Sequence, residues 1–311
     1  SAPADPAHRQ RFHRSRLMGT AIDVIVDSYP EIAERFALTV FAEIERLERV
    51  FNWFDRDSEL RRWSRGETKP GKELAEVLAL AELWKRRSRK GFDPAAGSLV
   101  ALWARAVEEG CVPSKTEIAE TLGAMNSSVD GHSLNAIAKG WIVDQAVRQG
   151  LSEGPVGNLV VNAGGDLLHH GAAPIIAGIE DPRRPFDNVP PLLRVRVDNM
   201  ALATSGGSRR GWTIDGERYS HIIDPRTGWP QSHVESASVI AQDVATADAM
   251  ATILTVVEVE EGLALSEEID VGCCIIDASG AMRRNERWRH AEHMTWDTDD
   301  PALTQGVLRF R

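Results

Sequence analysis

The chain has 311 residues and a formal net charge of −10, from 36 Lys and Arg against 46 Asp and Glu. The length allows one large domain or two smaller ones, and 42% hydrophobic content is typical of a soluble globular protein. No run of about 18 apolar residues is present, which excludes a membrane-spanning helix. The acidic balance argues against a general nucleic-acid-binding protein, because such a protein needs a basic face. An anionic small molecule can still bind where the site supplies local positive charge.

The N-terminal residues and the cysteines carry little functional information. Residues 1–16 are polar, and we interpret them as an extension that precedes a single domain of residues 17–311. They contain no apolar signal core, so either a targeting segment has been removed or none existed. The three cysteines, Cys111, Cys273 and Cys274, do not form a disulfide framework, because their number is odd. We interpret the adjacent pair as buried strand residues, with a redox or metal role as the alternative.

The first half of the domain is predicted to be mostly helical after an initial strand. Apolar residues recur at steps of three and four after Pro30, as expected for an amphipathic helix that begins with proline. The predicted elements are, in chain order, a strand over 17–26, a helix from about Pro30 to Phe51, a helix over 73–87, and a helix over 140–149 that Gly150 closes at its C′ position.

The second half is predicted to consist mainly of strands. The predicted strands are 159–162, 166–169, 193–197, 201–204, 211–214, 217–222, 238–241, 271–276 and a short closing strand over 306–310, with one helix over 246–257. Residues 163–165 (AGG) form a tight turn that needs positive φ, and Asp215-Gly216 is a strong hairpin signal. Hairpin-linked strands without regular βαβ alternation predict an α+β fold with mixed, largely antiparallel sheets and packed helices.

A glycine-rich segment precedes the hairpin and a histidine follows it. Thr204, Ser205 and Gly206 offer hydroxyls and backbone amides, which can form an anion-binding concavity. His221 lies near the end of the second hairpin strand, just before Asp224, where a strand can present a base at a cleft. The alternative is a strand histidine whose ring is satisfied by backbone groups.

Asp248 and Thr252 lie four residues apart in the segment TADAMAT. On a helix this spacing places both on one face, so the carboxylate and the hydroxyl can converge on one cation. Hard oxygen donors of this kind suit Mg²⁺, which commonly takes one carboxylate plus substrate phosphates. The alternative is a first-turn aspartate that favours the helix dipole and a buried threonine bonded to the backbone.

Lys139 lies at the loop-to-helix junction 135–140. A lysine at a helix start, with nearby free amides, can hold a phosphate. The Walker motif GxxxxGK[ST] is absent, so this is not a P-loop. The alternative is an ordinary solvent-exposed lysine.

Two other patterns resemble known binding sites but lack the required spacing of residues. Residues 162–166 (NAGGD) lack the full GxGxxG fingerprint and lead into a strand, which argues against a dinucleotide-binding Rossmann site. The histidine groups His169–His170 and His290/His293 do not have the ligand spacing of a zinc site.

Taken together and in this order, these segments resemble the ApbE family of FAD:protein FMN transferases. The matching segments are 18–20 (MGT), 54 with 57–60 (F and DSEL), 91–94 (GFDP), 134–140 (LNAIAKG) with Asp144, 162–166 (NAGGD), 178–182 (GIEDP), 204–206 (TSG), 219–228 (YSHIIDPRTG) and 247–252 (ADAMAT). They run from residue 18 to about residue 255, most of the chain. Each segment is weak alone, but nine in the same order make coincidence improbable.

The resemblance implies an α+β fold of two lobes in a single unit, with FAD in the cleft between them. It implies a Mg²⁺-dependent reaction in which FAD is cleaved at its pyrophosphate, FMN is attached through its phosphate to a Thr or Ser hydroxyl of an acceptor protein, and AMP leaves. By position, Asp248 and Thr252 would hold the metal with the backbone carbonyl of Ala136, and His221 would assist the acceptor hydroxyl. The residues that would contact FAD are Met18, Phe54, Gly91, Phe92, Asp93, Lys139 and Ile222, together with the 204–206 segment (TSG).

The chain departs from the family pattern at two places. Ser133 stands where the family usually carries an acidic residue, and we expect this change to alter the grip on the nucleotide and to weaken FAD affinity. Gly207 and Ser208 stand where an aromatic residue is expected. Neither change touches the metal pair or His221, so the activity is expected to be retained.

Three functions compete for this pattern. The first is the flavin transferase, with FAD and an acceptor protein as partners and with no nucleic acid and no integral membrane span. The second is a Mg²⁺-dependent FAD pyrophosphatase that uses water as acceptor. The third is a non-catalytic flavin-binding protein, against which the intact metal pair and His221 argue. The chain shows no lipobox cysteine, and we expect a periplasmic or envelope-associated location, with the cytoplasm as the alternative.

Overall fold

A computed structural model describes residues 9–125, 132–184, 189–207, 211–292 and 307–308. The helices are α1 (Pro30–Phe51), α2 (Glu59–Ser64), α3 (Lys72–Arg87), α4 (Gly97–Glu109), α5 (Lys115–Ala124), α6 (Asn135–Gly150), α7 (Val244–Val256), α8 (Val259–Ile269) and α9 (Glu286–Ala291). The strands are β1 (Arg9–Leu17), β2 (Thr20–Asp27), β3 (Asn158–Ala163), β4 (Asp166–Gly171), β5 (Ile175–Ile179), β6 (Leu193–Val197), β7 (Ala201–Gly206), β8 (Gly211–Ile214), β9 (Glu217–Ser220), β10 (Val234–Ala241), β11 (Gly272–Asp277), β12 (Met282–Arg284) and β13 (Val307–Leu308).

The central feature is an eight-stranded sheet in the order β1-β2-β3-β4-β7-β10-β11-β12, in which neighbouring strands are antiparallel. Alternate residues of a strand face opposite sides, so the sheet has two apolar faces. Val24 and Val26 of β2 face the main core, whereas Ile25 faces the other side. The sheet is therefore covered on both faces.

Three apolar clusters hold the structure together. Helices α1, α6 and α7 pack on one face of the large sheet and form the main core. The sheet β13-β5-β6 and helix α9 cover the other face. Helices α4 and α5 pack against the hairpin β8-β9 around Trp103 and Ile214, in a third and smaller cluster. The hairpin region therefore has a core of its own.

Most predicted elements are confirmed. Helices α1, α3 and α7, strands β3, β4, β6, β7, β10 and β11, and the hairpin β8-β9 lie where the sequence predicts them, within a few residues. Gly164 and Gly165 have φ of 64° and 103°, and Asp215 and Gly216 have φ of 53° and 82°, as both predicted turns require. Burial raises the pKa of the Cys274 thiol to about 12, in agreement with a buried strand residue.

Some predicted boundaries are wrong. Residues 9–16 of the expected extension form most of strand β1, which pairs with β2 along its length. Helix α6 begins at Asn135 and includes Gly150, whose φ of −60° is helical. Gly150 is needed there for packing, because a Cβ would lie 2.8 Å from the Phe36 ring. Helices α2, α4, α5, α8 and α9 and strands β5 and β12 were not predicted. In the part of the chain described, no helix combines the length and apolar character needed to cross a bilayer.

Candidate active site

The site is built on the close crossing of helices α6 and α7. Gly140 of α6 faces the start of α7, where a Cβ would lie 2.6 Å from the Val244 carbonyl oxygen. One turn later, the Asp144 carboxylate accepts the backbone N–H groups of Val244 and Ala245, each at 2.9 Å. These are two of the N–H groups that a helix start leaves without an intrahelical acceptor. Burial raises the pKa of Asp144 to about 6.

Asp248 is the buried carboxylate at the centre of the site. Asp248 is only 5% exposed, and its carboxylate accepts a hydrogen bond from the backbone N–H of Gly140. Its Oδ2 atom has no hydrogen-bond partner among the described residues. Burial and the neighbouring charge of Asp166 raise the pKa of Asp248, while Lys139 acts in the opposite direction. An ionised Asp248 is therefore costly in this structure unless further positive charge is supplied.

Lys139 and Asp166 form an ion pair beside Asp248. Lys139 lies in the first turns of α6, and Asp166 is the first residue of β4, directly after the Gly164-Gly165 turn. The NAGGD segment therefore supplies a charged residue to the site rather than a phosphate-binding loop. Asp166 lies in one of the segments that match the family, and its role is visible only in the structure. The sequence signal that could have indicated this role is an aspartate directly after two glycines, at the start of a predicted strand.

The predicted metal ligands lie on two adjoining helices. Thr252 lies one turn after Asp248 on α7 and is half-buried. Ala136 lies in the first turn of α6. In a regular helix its carbonyl lies beside the N–H of Gly140, the same donor that reaches Asp248. The three predicted ligands therefore lie on the two helices that meet at the crossing.

The 204–206 segment is divided between the two faces of the large sheet. Ser205 Oγ lies 3.2 Å from Thr252 Oγ1, which brings Ser205 into the site. Thr204 pairs instead with Ser238, with their hydroxyl oxygens 2.8 Å apart, on the opposite face. Gly206 lies against the backbone of β10, where a Cβ would lie 3.2 Å from the Ser236 Cα. Of the two predicted hydroxyl donors, the structure therefore brings Ser205 to Thr252 and turns Thr204 away.

His221 lies on a loop and not on a strand. Strand β9 ends at Ser220, two residues before the predicted end, and His221 is half-buried just beyond it. Ser220 Oγ accepts the backbone N–H of Ile222 at 3.1 Å. A Cβ on Gly207 would lie 3.2 Å from the same Ser220 Oγ. Since Gly207 follows Ser205 by two residues, the His221 loop lies near the Ser205 end of the site.

The loop that follows His221 is closed by its own hydrogen bonds. The Gly228 N–H donates to the Asp224 carbonyl at 2.8 Å, and the Asp224 N–H donates to the Trp229 carbonyl at 2.9 Å. Trp103 Nε1 of α4 donates to the Gly228 carbonyl at 2.9 Å. We call residues 221–228 the histidine loop. It rests on the third cluster.

Three of the residues predicted to contact FAD lie in loops. Met18, with φ of 52°, lies in the β1-β2 turn, and its side chain packs against the main core. Phe54 lies after α1 and is 87% exposed. Gly91 allows close approach to Val257, because a Cβ would lie 2.5 Å from its Cγ1 atom. Met18 and Phe54 thus offer apolar surface, and Gly91 brings its loop to the end of α7.

Phe92 and Asp93 already have partners within the protein. Phe92 is buried in the main core. The Asp93 carboxylate pairs with Lys85 at 2.9 Å and accepts the Ala95 N–H at 3.0 Å. The backbone N–H of Ser133 donates to the Pro94 carbonyl at 2.7 Å, so this loop also supports the start of α6. The side chains of Phe92 and Asp93 therefore shape the loop.

The histidine pairs do not form a zinc site in the described residues. His169 is buried, and its Nδ1 accepts the Asn199 N–H at 3.0 Å. His290 Nδ1 lies 2.9 Å from the Glu286 carbonyl oxygen, and His293 lies outside the described residues. No group of three or more His, Cys, Asp or Glu residues in the described ranges could hold a metal ion. The predicted magnesium ligands include one carboxylate and are not such a group.

Comparison with known proteins gives consistent results. The family model for the ApbE family matches residues 18–275. A curated FAD:protein FMN transferase of Vibrio cholerae is 30% identical over 294 residues, 85% of each chain. One of Treponema pallidum is 31% identical over 229 residues, covering 63% of this chain and 62% of its own.

Solved structures agree with this assignment. The ApbE protein of Thermotoga maritima superposes with a TM-score of 0.81 at 27% identity, covering 92% of this chain and 100% of its own. The flavin transferase ApbE of Vibrio cholerae superposes with a TM-score of 0.76 at 23% identity, covering 91% and 99%, and supports the fold. The predicted α+β fold with largely antiparallel sheets is confirmed. The chain belongs to the ApbE family.

Proposed function

We propose that this protein is a FAD:protein FMN transferase that transfers FMN from FAD to a Thr or Ser hydroxyl of an acceptor protein and releases AMP. The observation that carries the proposal is the buried Asp248 carboxylate, which has an oxygen without a hydrogen-bond partner beside the Lys139–Asp166 ion pair. Buried, strongly perturbed carboxylates in such surroundings are typical of functional sites. The names of the relatives agree with this activity.

The residues at the α6-α7 crossing fit a magnesium ion. The unpartnered Oδ2 of Asp248, the Thr252 hydroxyl and the Ala136 carbonyl are hard oxygen donors, which Mg²⁺ prefers. We propose that these three groups hold Mg²⁺. When bound, Mg²⁺ supplies positive charge that stabilises the charge developing on pyrophosphate oxygens. An acidic chain needs such local positive charge to bind an anionic dinucleotide.

Lys139 supplies further positive charge at the same place. Its ion pair with Asp166 fixes the ammonium group next to Asp248. An ammonium group is a point charge that can donate to phosphate oxygens in several directions. We therefore assign Lys139 to the phosphates of FAD and Asp166 to the orientation of Lys139.

We assign to His221 the role of proton acceptor. In the proposed step, the acceptor hydroxyl oxygen attacks the FMN phosphorus and forms a phosphoester bond, and its proton passes to His221. The bond from this phosphorus to the bridging oxygen breaks, and AMP leaves with the electron pair. A hydroxyl is a weak nucleophile, so a base should contribute about 10²–10⁴-fold. The half-buried place of His221 beyond β9 supports access by a protein acceptor.

The exposed apolar side chains fit the flavin end of the substrate. Phe54 is almost fully exposed, which is unusual for a large aromatic residue. Met18 is half-buried at the β1-β2 turn. An isoalloxazine ring is flat and apolar on its faces, so it can cover such side chains.

The activity is tested by incubating the protein with FAD, Mg²⁺ and a candidate acceptor peptide that contains Thr, followed by mass spectrometry. We expect the acceptor to gain the mass of an esterified FMN, with AMP released in equal amount and with no gain in EDTA. An acceptor whose target Thr is changed to Val is the control. Free FMN and AMP without a gain in acceptor mass would support the pyrophosphatase instead. FAD binding without turnover would support a flavin-binding protein.

We also propose a periplasmic or envelope-associated location. The resemblance to a family whose members commonly act on the outer face of bacterial inner membranes supports this. Fractionation of cells that express the full natural protein tests it, and recovery with the cytoplasmic fraction would contradict it.

A further inference from the structure

Arg226 connects the histidine loop to the helix that carries the predicted metal ligands. Its Nε and one terminal nitrogen donate to the two Asp224 carboxylate oxygens, each at 2.9 Å. The same terminal nitrogen donates to the carbonyl of Val256, the last residue of α7, at 3.0 Å. The other terminal nitrogen lies 3.9 Å from the Glu261 carboxylate of α8. One guanidinium group therefore contacts a loop and two helices.

These contacts suit arginine and not lysine. A guanidinium group presents several donors in a rigid plane, so it can bind a carboxylate with two bonds and still reach a carbonyl. A cation at the end of a helix also interacts favourably with the helix dipole. Asp224 is more shielded from solvent than most surface carboxylates, at 15% side-chain exposure, so water screens this ion pair incompletely.

The C-terminal half of the histidine loop is held by two different parts of the protein. Trp103 of the third cluster donates to the Gly228 carbonyl. Arg226 joins the loop to the last carbonyl of α7, one turn after Thr252. His233, in the segment that leads into β10, also lies 3.0 Å from the carbonyl oxygen of Val257. The histidine loop and the segment that follows it are therefore joined to the C-terminal end of the helix that carries Thr252.

We propose that Arg226 is a positioning residue, which sets the histidine loop against the end of α7 so that an acceptor hydroxyl, and not water, receives FMN. This inference rests on the proposed transferase function. Arg226 does not touch the groups assigned to metal or phosphate in any hydrogen bond or ion pair described above. Its loss should therefore change the use of the acceptor more than the binding of FAD.

The test compares Arg226→Lys with Arg196→Lys. Arg196 also pairs with an aspartate two residues away, Asp198, but it lies on β6, on the sheet face away from α7. Three quantities are measured: the Kd of FAD from flavin fluorescence, kcat and KM for acceptor flavinylation, and the ratio of free FMN to acceptor-bound FMN. A shift of the reacting groups by about 1 Å can lower a rate by about 10²-fold.

We expect Arg226→Lys to lower kcat for flavinylation by about 10-fold to 10²-fold and to raise the share of free FMN, with the Kd of FAD changed by less than about threefold. Arg196→Lys should match the wild-type protein in all three. A wild-type rate and product ratio in Arg226→Lys would overturn the proposal. A parallel loss of FAD binding and melting temperature would also overturn it, because it would indicate a general structural role.

Hydrogen exchange separates this inference from the proposed function. In Arg226→Lys, the backbone amides of Thr227, Gly228 and Gln231 should exchange faster, whereas those in the middle of α7 should not change. Unchanged loop exchange would show that Arg226 does not hold the loop, whatever reaction is catalysed. Absence of acceptor flavinylation by the wild-type protein would instead contradict the proposed function, and the exchange result would still decide what Arg226 holds.

Discussion

The two sides of the candidate site are built in different ways. Asp248, Lys139 and Asp166 lie on α7, α6 and β4, regular elements that pack on the main core. His221 lies on a loop above a separate cluster, and hydrogen bonds from Trp103 and other polar contacts hold that loop. The first side lies on regular elements of the main core, whereas the second is a loop that a smaller cluster and individual hydrogen bonds hold in place.

This difference indicates a division of labour. Burial makes the charges on the α6-α7 side costly, and these charges are the ones assigned to the reaction common to transfer and hydrolysis. The histidine loop carries His221, which is assigned to the group that accepts FMN. Changes on the first side should therefore remove both reactions, and changes on the second should shift the balance between them.

The largest effect is expected from Asp248→Asn. This change removes a proposed metal ligand, and both FMN transfer and FAD hydrolysis should fall by at least about 10²-fold. The buried carboxylate has an oxygen without a hydrogen-bond partner and a raised pKa, so its ionisation opposes folding near neutral pH. The melting temperature should therefore stay equal or rise. Turnover assays at several Mg²⁺ concentrations and calorimetry measure the two effects.

If Asp248→Asn lowered only the transfer of FMN to the acceptor and not the hydrolysis of FAD, the α6-α7 side would not serve both reactions. Asp198→Asn, on the exposed turn before β7, is the control for the loss of a carboxylate remote from the site. Turnover at the wild-type level in Asp248→Asn would show that the metal assignment is wrong. A large drop in melting temperature would show that this carboxylate is a structural group.

The second prediction concerns the packing of the α6-α7 side. Gly140→Ala places a Cβ 2.6 Å from the Val244 carbonyl oxygen, and neither backbone can move without shifting a helix. We expect the free energy of unfolding to fall by about 1–3 kcal/mol. Gly123→Ala in α5 is the matched control, since nothing lies within 4 Å of its added Cβ. That change should stabilise the protein by about 0.5–1 kcal/mol, because alanine favours helices.

Urea unfolding of the two glycine variants distinguishes packing from helix propensity. If both substitutions were stabilising, the close approach of α6 to α7 would not be required in solution. Gly140→Ala should also reduce turnover, because it displaces Lys139 and Asp144 relative to α7.

The elements that are predictable from the sequence are those whose signals are local. The steps of three and four in α1 and the Asp215-Gly216 turn each depend on a few adjacent residues. Strand β1 was missed because its residues are mostly polar and exposed, and it is fixed by pairing with β2. Gly150 was predicted to close α6 but lies within it, with a helical φ. Its small size allows α6 to approach α1, and no local sequence pattern contains that contact.

The candidate site was predictable only where its residues are close together in the sequence. The spacing of Asp248 and Thr252 on a helix indicates a common face, and the structure places Ser205 against Thr252. The Lys139–Asp166 pair joins α6 to the start of β4, so only the packed sheet shows it. Thr204 points away because alternate strand residues face opposite sides, which depends on which face α7 covers.

The smallest expected effect concerns Asp144, and it is a pH dependence of stability. Burial raises the pKa of Asp144 from 3.8 to about 6, so between about pH 4 and pH 6 the folded protein holds a proton that the unfolded chain has released. The free energy of unfolding contributed by this group therefore falls as pH rises through that window and is constant above it. Asp144→Asn has no proton to release and should lack this slope.

The difference in stability between wild type and Asp144→Asn should thus change by about 1–2 kcal/mol between pH 4.5 and pH 7, in favour of the wild type at the lower pH. Urea unfolding of both proteins at several pH values measures it, and taking the difference cancels groups that titrate equally in both. A difference that does not vary with pH would mean that Asp144 is ionised throughout. The hydrogen bonds from the Val244 and Ala245 N–H groups, which lower the pKa of Asp144, would then outweigh the effect of burial. The start of α7 would be held by an ionised carboxylate and not by a neutral carboxyl group.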